Sequence, residues 1–318
     1  MMKKTYSSIL CGLLLSSCVG LSVCAAADWD PDQAVAQYTQ MIQQNPGQAV
    51  AYNNRGMAYK KKGQQDLALQ DLSQAIALDP AYSDAYNNRG TIYYENGDTV
   101  RAIVDYQQAI RCNPQNAIAH NNLGQAYASE GSIFNRRGDA QQRDRRYEQA
   151  LSEYDQAIAL NGNYVEALQN RGTVYGYQNK DVLAVADLTR AIELSGGTVA
   201  MFVSRAASYH CLRQDERALS DYARALQLDP SYGAAYNNRG VIYMGQRNYI
   251  QAIEEFTKAI NADKSDAEDA YNNRGTAYFR LGNYDQAIQD FDCALAIRPT
   301  SEMVLKNLQA AYAARERH

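Results

Sequence analysis

Few side chains in this sequence have the type and spacing that chemistry needs. Six arginines are each followed sixteen residues later by an acid: Arg55 and Asp71, Arg89 and Asp105, Arg171 and Asp187, Arg205 and Asp221, Arg239 and Glu255, Arg274 and Asp290. A row of arginines could bind phosphate. A guanidinium with a matching carboxylate at fixed spacing reads instead as an internal ion pair. Asparagines form a second row: Asn53-Asn54, Asn87-Asn88, Asn121-Asn122, Asn237-Asn238 and Asn272-Asn273, with Asn170 after Gln169. Each carboxamide offers a donor and an acceptor, which suits an extended peptide backbone. A third cluster is basic. Arg136, Arg137, Arg143, Arg145 and Arg146 lie within eleven residues, with two aspartates among them.

Catalytic chemistry finds little support, so no enzyme activity, cofactor or metal is expected. There are three histidines, and His210 is beside Cys211. Adjacent residues on a helix point about 100° apart, so these two do not form a pair. No H-E-x-x-H, C-x-x-C or G-x-x-x-x-G-K-[ST] occurs. The net charge of −4 argues against a general affinity for nucleic acid. Tyr is abundant at 25 residues against 5 Phe and 1 Trp, a bias the elements below must explain.

Residues 1–27 read as a bacterial secretory signal. Lys3 and Lys4 precede an interrupted apolar stretch, and Ala25-Ala26-Ala27 offers a cleavage site before Asp28. The expected location is the periplasm or outside the cell. A rival reading takes Leu15-Ser16-Ser17-Cys18 as a lipobox, with Cys18 carrying the lipid of an outer-membrane lipoprotein. Only in that case is a membrane expected as a partner.

The elements that must position the arginines and asparagines repeat. Pro46, Pro80 and Pro114 are 34 residues apart, the next interval, to Pro230, is three such periods plus 14 residues, and the last, to Pro299, is two periods plus one residue. Ala51-Tyr52-Asn53-Asn54-Arg55-Gly56 recurs at 85–90, 235–240 and 270–275. With positions numbered 1–34, the full repeats are 49–82, 83–116, 117–164, 165–198, 199–232, 233–267 and 268–301. Position 8 is Gly or Ala and position 20 is Ala throughout, which lets two helices pack closely. Position 7 is Arg in six repeats and position 23 is acidic in all seven. In the third repeat Leu123 stands at position 7, so Glu153 needs another partner. His120 takes position 4, a packing slot.

This pattern resembles the tetratricopeptide (TPR) family over residues 30–318. The resemblance implies an all-α, right-handed solenoid of seven helix–turn–helix repeats. Residues 28–48 form a half-repeat before the array at 49–301, and 302–318 form a closing helix. It also implies a non-catalytic scaffold that binds other proteins, with helix A lining a concave groove. The asparagines at positions 5 and 6 then face that groove, or serve the turn of the superhelix, and both readings stay open. Tyr94 and Tyr177, which fall outside the tyrosine packing positions, join the candidate groove. Family members that clamp a terminal carboxylate use Lys or Arg at positions 2, 5 and 6, which are uncharged or acidic here, so that property is not carried over.

The pattern breaks in two places. Repeat 3 has 14 extra residues, splitting seven and seven around Gly138, so both helices should lengthen through 132–146. Helix A is expected to about Arg137, a turn at Gly138-Asp139, and helix B from about Ala140. Few acids lie near the five arginines there, which makes this hairpin a candidate partner patch. The Arg137-Gly138-Asp139 tripeptide is read as a turn and not as an integrin motif. Ser195-Gly196-Gly197 replaces the usual Pro between repeats 4 and 5, and bending is expected at 195–198. Cys112, Cys211 and Cys293 fall in different repeats, so three unpaired thiols in small core slots are expected.

Overall fold

The computed structural model describes residues 30–262 and 267–317. The proposed signal, Cys18 and His318 lie outside them. Among the described residues there are sixteen helices and no strand. The chain opens with α1 (Pro31–Gln44) and then forms hairpins of α2 (Ala49–Lys61) with α3 (Gln65–Leu78), and α4 (Ser83–Glu95) with α5 (Thr99–Cys112). A longer pair follows, α6 (Ala117–Arg136) and α7 (Ala140–Leu160). Then come α8 (Val165–Tyr177) with α9 (Asp181–Ser195), α10 (Val199–Cys211) with α11 (Asp215–Leu228), and α12 (Gly233–Gly245) with α13 (Tyr249–Ala262). The last pair is α14 (Glu268–Arg280) with α15 (Tyr284–Ile297), and α16 (Glu302–Arg315) closes the array. Each helix A starts on the first residue of its repeat. Asp30 caps α1 through the backbone N–H of Asp32, with Pro31 in the first turn.

Within a hairpin, the small residue at position 8 meets the large one at position 24. A Cβ on Gly90 would lie 2.9 Å from the Tyr106 ring, and one on Gly240 would lie 2.6 Å from Phe256. Contact that close leaves no room for a side chain at these two positions, and in repeat 5 the slot takes nothing larger than Ala206. The alanines at position 20, such as Ala68, Ala102 and Ala252, are fully buried beside it.

The lengthened hairpin follows the expected split. Helix α6 ends at Arg136, Gly138 turns at φ +75°, Asp139 caps α7 through the N–H of Gln142, and α7 starts at Ala140. The extra seven residues on each helix repeat the packing unit once more. Gly124 faces Tyr154, and Gly131, seven residues on, faces Tyr147, seven residues back. A Cβ would lie 2.7 Å from the ring at the first and 2.5 Å at the second.

One expectation is corrected here, and the diglycine joint shows why glycine is needed. Gly196 and Gly197 adopt φ +82° and +83°, and a Cβ on Gly197 would strike the Phe202 ring at 2.7 Å. Thr198 then caps α10 through the N–H of Met201. Glycine serves there to let the chain turn under a buried phenylalanine. The cysteines are not core residues: Cys211 and Cys293 are exposed and Cys112 is half-buried, all as free thiols. The Cys112 thiol lies 3.6 Å from the Pro80 carbonyl oxygen.

Candidate functional site

The arginine row is structural. Nε and Nη2 of Arg89 donate to the two Asp105 oxygens, each at 2.8 Å. Arg55, Arg171, Arg205 and Arg274 make the same fork with Asp71, Asp187, Asp221 and Asp290 at 2.7–2.8 Å. The third nitrogen, Nη1, reaches back to helix B of the preceding repeat. It finds Thr39, Ser73, Asp155, Thr189 and Thr257 in turn. One guanidinium therefore ties three helices. The fork holds each of these guanidinium groups above its ordinary range, the hydrogen bond to the acid being the main cause.

The tyrosine bias has a related cause. Arg55 lies between the rings of Tyr52 and Tyr59, at 5.6 and 5.8 Å from their centroids. Arg89 sits likewise between Tyr86 and Tyr93, and Arg205 between Phe202 and Tyr209. Residues three before and four after an arginine share its helix face. Most tyrosines at positions 4 and 11 are thus half-buried beside a guanidinium, in pairs at Arg55 and Arg89 and singly at Arg171, Arg239 and Arg274, while Tyr127 of repeat 3, which lacks the arginine, is buried core. The tyrosines at position 24 are core, and burial pushes Tyr106 and Tyr222 up to about 12.

The asparagine row is largely consumed within the protein, which corrects its reading as a free double row. Asn88 donates to Asn53, Asn122 to Asn87, Asn170 to Asn121, Asn273 to Asn237 and Asn307 to Asn272, at 2.9–3.1 Å. Asn53, Asn87, Asn121 and Asn272 at position 5 are buried. Asn53 also donates to Asn54. The ladder skips two steps, because repeat 5 has Ser204 at position 6 and Val203 at position 5 in place of asparagine. Asn238 therefore has no carboxamide in repeat 5 to meet. What remains open at position 2 of helix A is apolar or acidic, with Asp84, Glu166 and Asp269 exposed among the apolar residues. Val50 and Ile118 at position 2 are 49% and 55% exposed, and Tyr177 is 60% exposed. Tyr94 is half-buried against the long-hairpin cluster, and Tyr177 stacks on Tyr147 at 5.9 Å. Both leftover tyrosines therefore flank the lengthened hairpin, one from each neighbouring repeat.

The basic patch divides. Arg143 is held by Asp144 at 2.8 Å and Asn135 at 3.2 Å, and Arg146 lies 2.9 Å from Glu130 and over the Tyr127 ring. These two brace the hairpin, against the expectation that acids are scarce around all five. Arg136, Arg137 and Arg145 are exposed and enter no ion pair among the described residues. His210 bonds Asp215 across the α10–α11 turn at 2.7 Å. No cluster of metal-ligating side chains occurs among the described residues. No described helix is long and apolar enough to cross a membrane.

Sequence reasoning missed Gln107, which donates to Tyr127, and the serine and threonine acceptors of Nη1. Ser or Thr sixteen residues before Arg55, Arg89 and Arg205 was a readable signal, whereas Arg171 has Asp155 there and Arg274 reaches Thr257, seventeen residues back.

The fold and its polar joints define a class, a solenoid of stacked helical hairpins that acts as a scaffold for protein–protein interaction. Family models described as tetratricopeptide repeat match residues 37–70 and 268–301, and one described as TPR repeat matches 56–97 and 90–131. The chain is a tetratricopeptide repeat protein. Residues 218–273 also match a model described as the Est1 DNA/RNA binding domain, but this stretch has five Lys/Arg against eight Asp/Glu. No curated protein matches the chain in sequence. Among solved structures, the chain is similar to the APC/C hetero-tetramer Cut9-Hcn1 (17% identity, TM-score 0.63, 89% of this chain and 53% of that one). It therefore spans about half of that protein. It is also similar to a tetratricopeptide repeat protein from Parabacteroides merdae (18%, 0.59, 87% and 99%) and to Pseudomonas aeruginosa pilF (18%, 0.58, 74% and 98%). At these identities the likeness concerns fold.

Proposed function

We propose that this protein is an exported, non-catalytic adaptor of the bacterial cell envelope that holds a protein or extended peptide along helix A. The observation that carries it is the carboxamide ladder. By locking neighbouring A helices together, it presents the outer residues of successive repeats as one ruled surface with exposed Val50, Ile118 and Tyr177. A preorganised surface loses less entropy on binding than a flexible one. The lengthened hairpin adds a second contact. Arg136, Arg137 and Arg145 at its tip suit carboxylates of an acidic partner, because arginine binds them bidentately. Crosslinking in cells from a photoreactive residue at Val50 or Ile118, followed by identification of the captured protein, tests this. Capture of one defined protein supports the reading, and no capture above an outward-facing control site on helix B overturns it. Capture of an envelope hydrolase would make the chain an enzyme regulator. With the captured partner in hand, changing Arg136, Arg137 and Arg145 to Ser should preserve helicity and abolish the salt-sensitive part of binding.

The lipobox pattern at Leu15–Cys18 favours a second reading, an outer-membrane assembly or pilot lipoprotein. Mass spectrometry of the mature N-terminus separates the two: a free Asp28, or a lipidated Cys18.

A further inference from the structure

Repeat 3 lacks the arginine that pairs with the helix B acid in the other repeats, and a histidine stands in for it. His120 is buried beside Leu123, and its two ring nitrogens both meet acceptors. Nδ1 lies 2.6 Å from Glu153 Oε2, on α7. Nε2 lies 3.1 Å from the backbone carbonyl oxygen of Pro114, in the turn from α5. A carboxylate and a carbonyl only accept, so both nitrogens must donate. A neutral imidazole has one N–H and leaves one of these contacts unmade. We propose that repeat 3 carries a proton-dependent clamp, in which the His120 imidazolium ties α6 to α7 and to the preceding repeat at the base of the lengthened hairpin.

The surroundings support this assignment. From α7 the facing charge is Glu153, and Asp155, two residues on, is engaged by Arg171 of α8. From α4, Asp84 is held by the Asn116 side chain. The α5–α6 turn contributes a carbonyl and no charge. Helix α6 itself has Leu123 where other repeats have Arg. The Glu153 hydrogen bond, aided by that to Pro114, raises His120 above the ordinary histidine range, while burial opposes it. A raised folded value sets the sign. The stabilisation is complete below the unfolded histidine value of about 6.5 and is lost as pH rises through the raised folded value. The arginine clamps of the other repeats stay charged across this range. The array therefore has one joint that loosens as protons leave, and it lies under the arm with the three free arginines.

The test uses the full mature chain in a His210→Gln background, which removes the other described histidine pair. Melting temperature and hydrogen exchange are read at pH 6.0 and 8.5, with exchange corrected for its intrinsic pH dependence. The parent should lose about 2–4 °C on going to pH 8.5. Exchange in α6 and α7 should rise about threefold relative to α14 and α15, which an arginine clamp holds. His120→Gln should abolish both changes and match the parent at pH 8.5. The double change His120→Tyr with Leu123→Arg rebuilds the clamp of the other repeats, and should be pH-independent at the parent's acid-side stability. A parent with no pH dependence, or a His120→Gln chain that retains it, overturns the proposal.

Discussion

Repeats 2 and 6 open with the same hexapeptide, Ala-Tyr-Asn-Asn-Arg-Gly, yet they are held to the preceding repeat differently. In repeat 2, Asn88 donates to Asn53 and Arg89 reaches Ser73 while forking onto Asp105. In repeat 6, the partners in repeat 5 are Val203 and Ala223, and neither bond forms. Arg239 places Nε and Nη2 on one oxygen of Glu255, and Lys258 takes the other. The joint between repeats 5 and 6 thus lacks both polar ties. The lesson is that a motif does not determine its own joint, because half of every tie lies in the preceding repeat. The diglycine segment looked like the weak point, but the tie Arg205 to Thr189 crosses it intact.

Arg89→Ala should give the largest effect. It strands the buried Asp105 and cuts a tie to the preceding repeat, costing about 2–4 kcal/mol. Arg239→Ala should cost about half as much, because Lys258 still pairs with Glu255 and no inter-repeat bond is lost. Urea unfolding with segmental hydrogen exchange reads both, since a repeat array need not unfold in one step. Equal losses would remove the distinction between the joints.

The converse change sharpens it. Val203→Asn with Ala223→Ser supplies the two missing partners, and should stabilise the chain by about 1 kcal/mol. Exchange should slow at α11 and α12 while α3 and α4 stay unchanged. A uniform response along the array would show that the joint is not locally weak.

The smallest effect concerns turns. The helix A to helix B turn uses Gly63, Gly97, Gly138 and Gly282 in repeats 1, 2, 3 and 7, but Asn179, Arg213 and Arg247 in repeats 4, 5 and 6. The latter have φ of +57°, +61° and +60°, a region costly for a side chain. Arg213→Gly or Arg247→Gly should raise stability by about 0.5–1 kcal/mol, as thermal melting would show. No gain would mean that those side chains earn their strain elsewhere.

Much of the fold was legible because a repeat states its rule several times. Proline spacing set the register, and helix starts followed it residue by residue. The seven-plus-seven insertion was legible for the same reason, since seven residues preserve the packed face of a helix. The candidate site was less legible. A carboxamide at position 6 has the same local sequence whether it faces a peptide or the preceding repeat. Tyr94 and Tyr177 looked free because they break the pattern, while in space both lean on the extra turns of repeat 3.

The sequence by itself determined the helices, their pairing and the arginine–carboxylate forks, because all of these join positions within one repeat. Tertiary structure alone decided which asparagines were consumed, which arginines stayed free, which joint lacks the two polar ties, and that His120 must donate twice. Each of those depends on what an adjacent repeat places within about 3 Å, and repeats that share a motif differ in their neighbours.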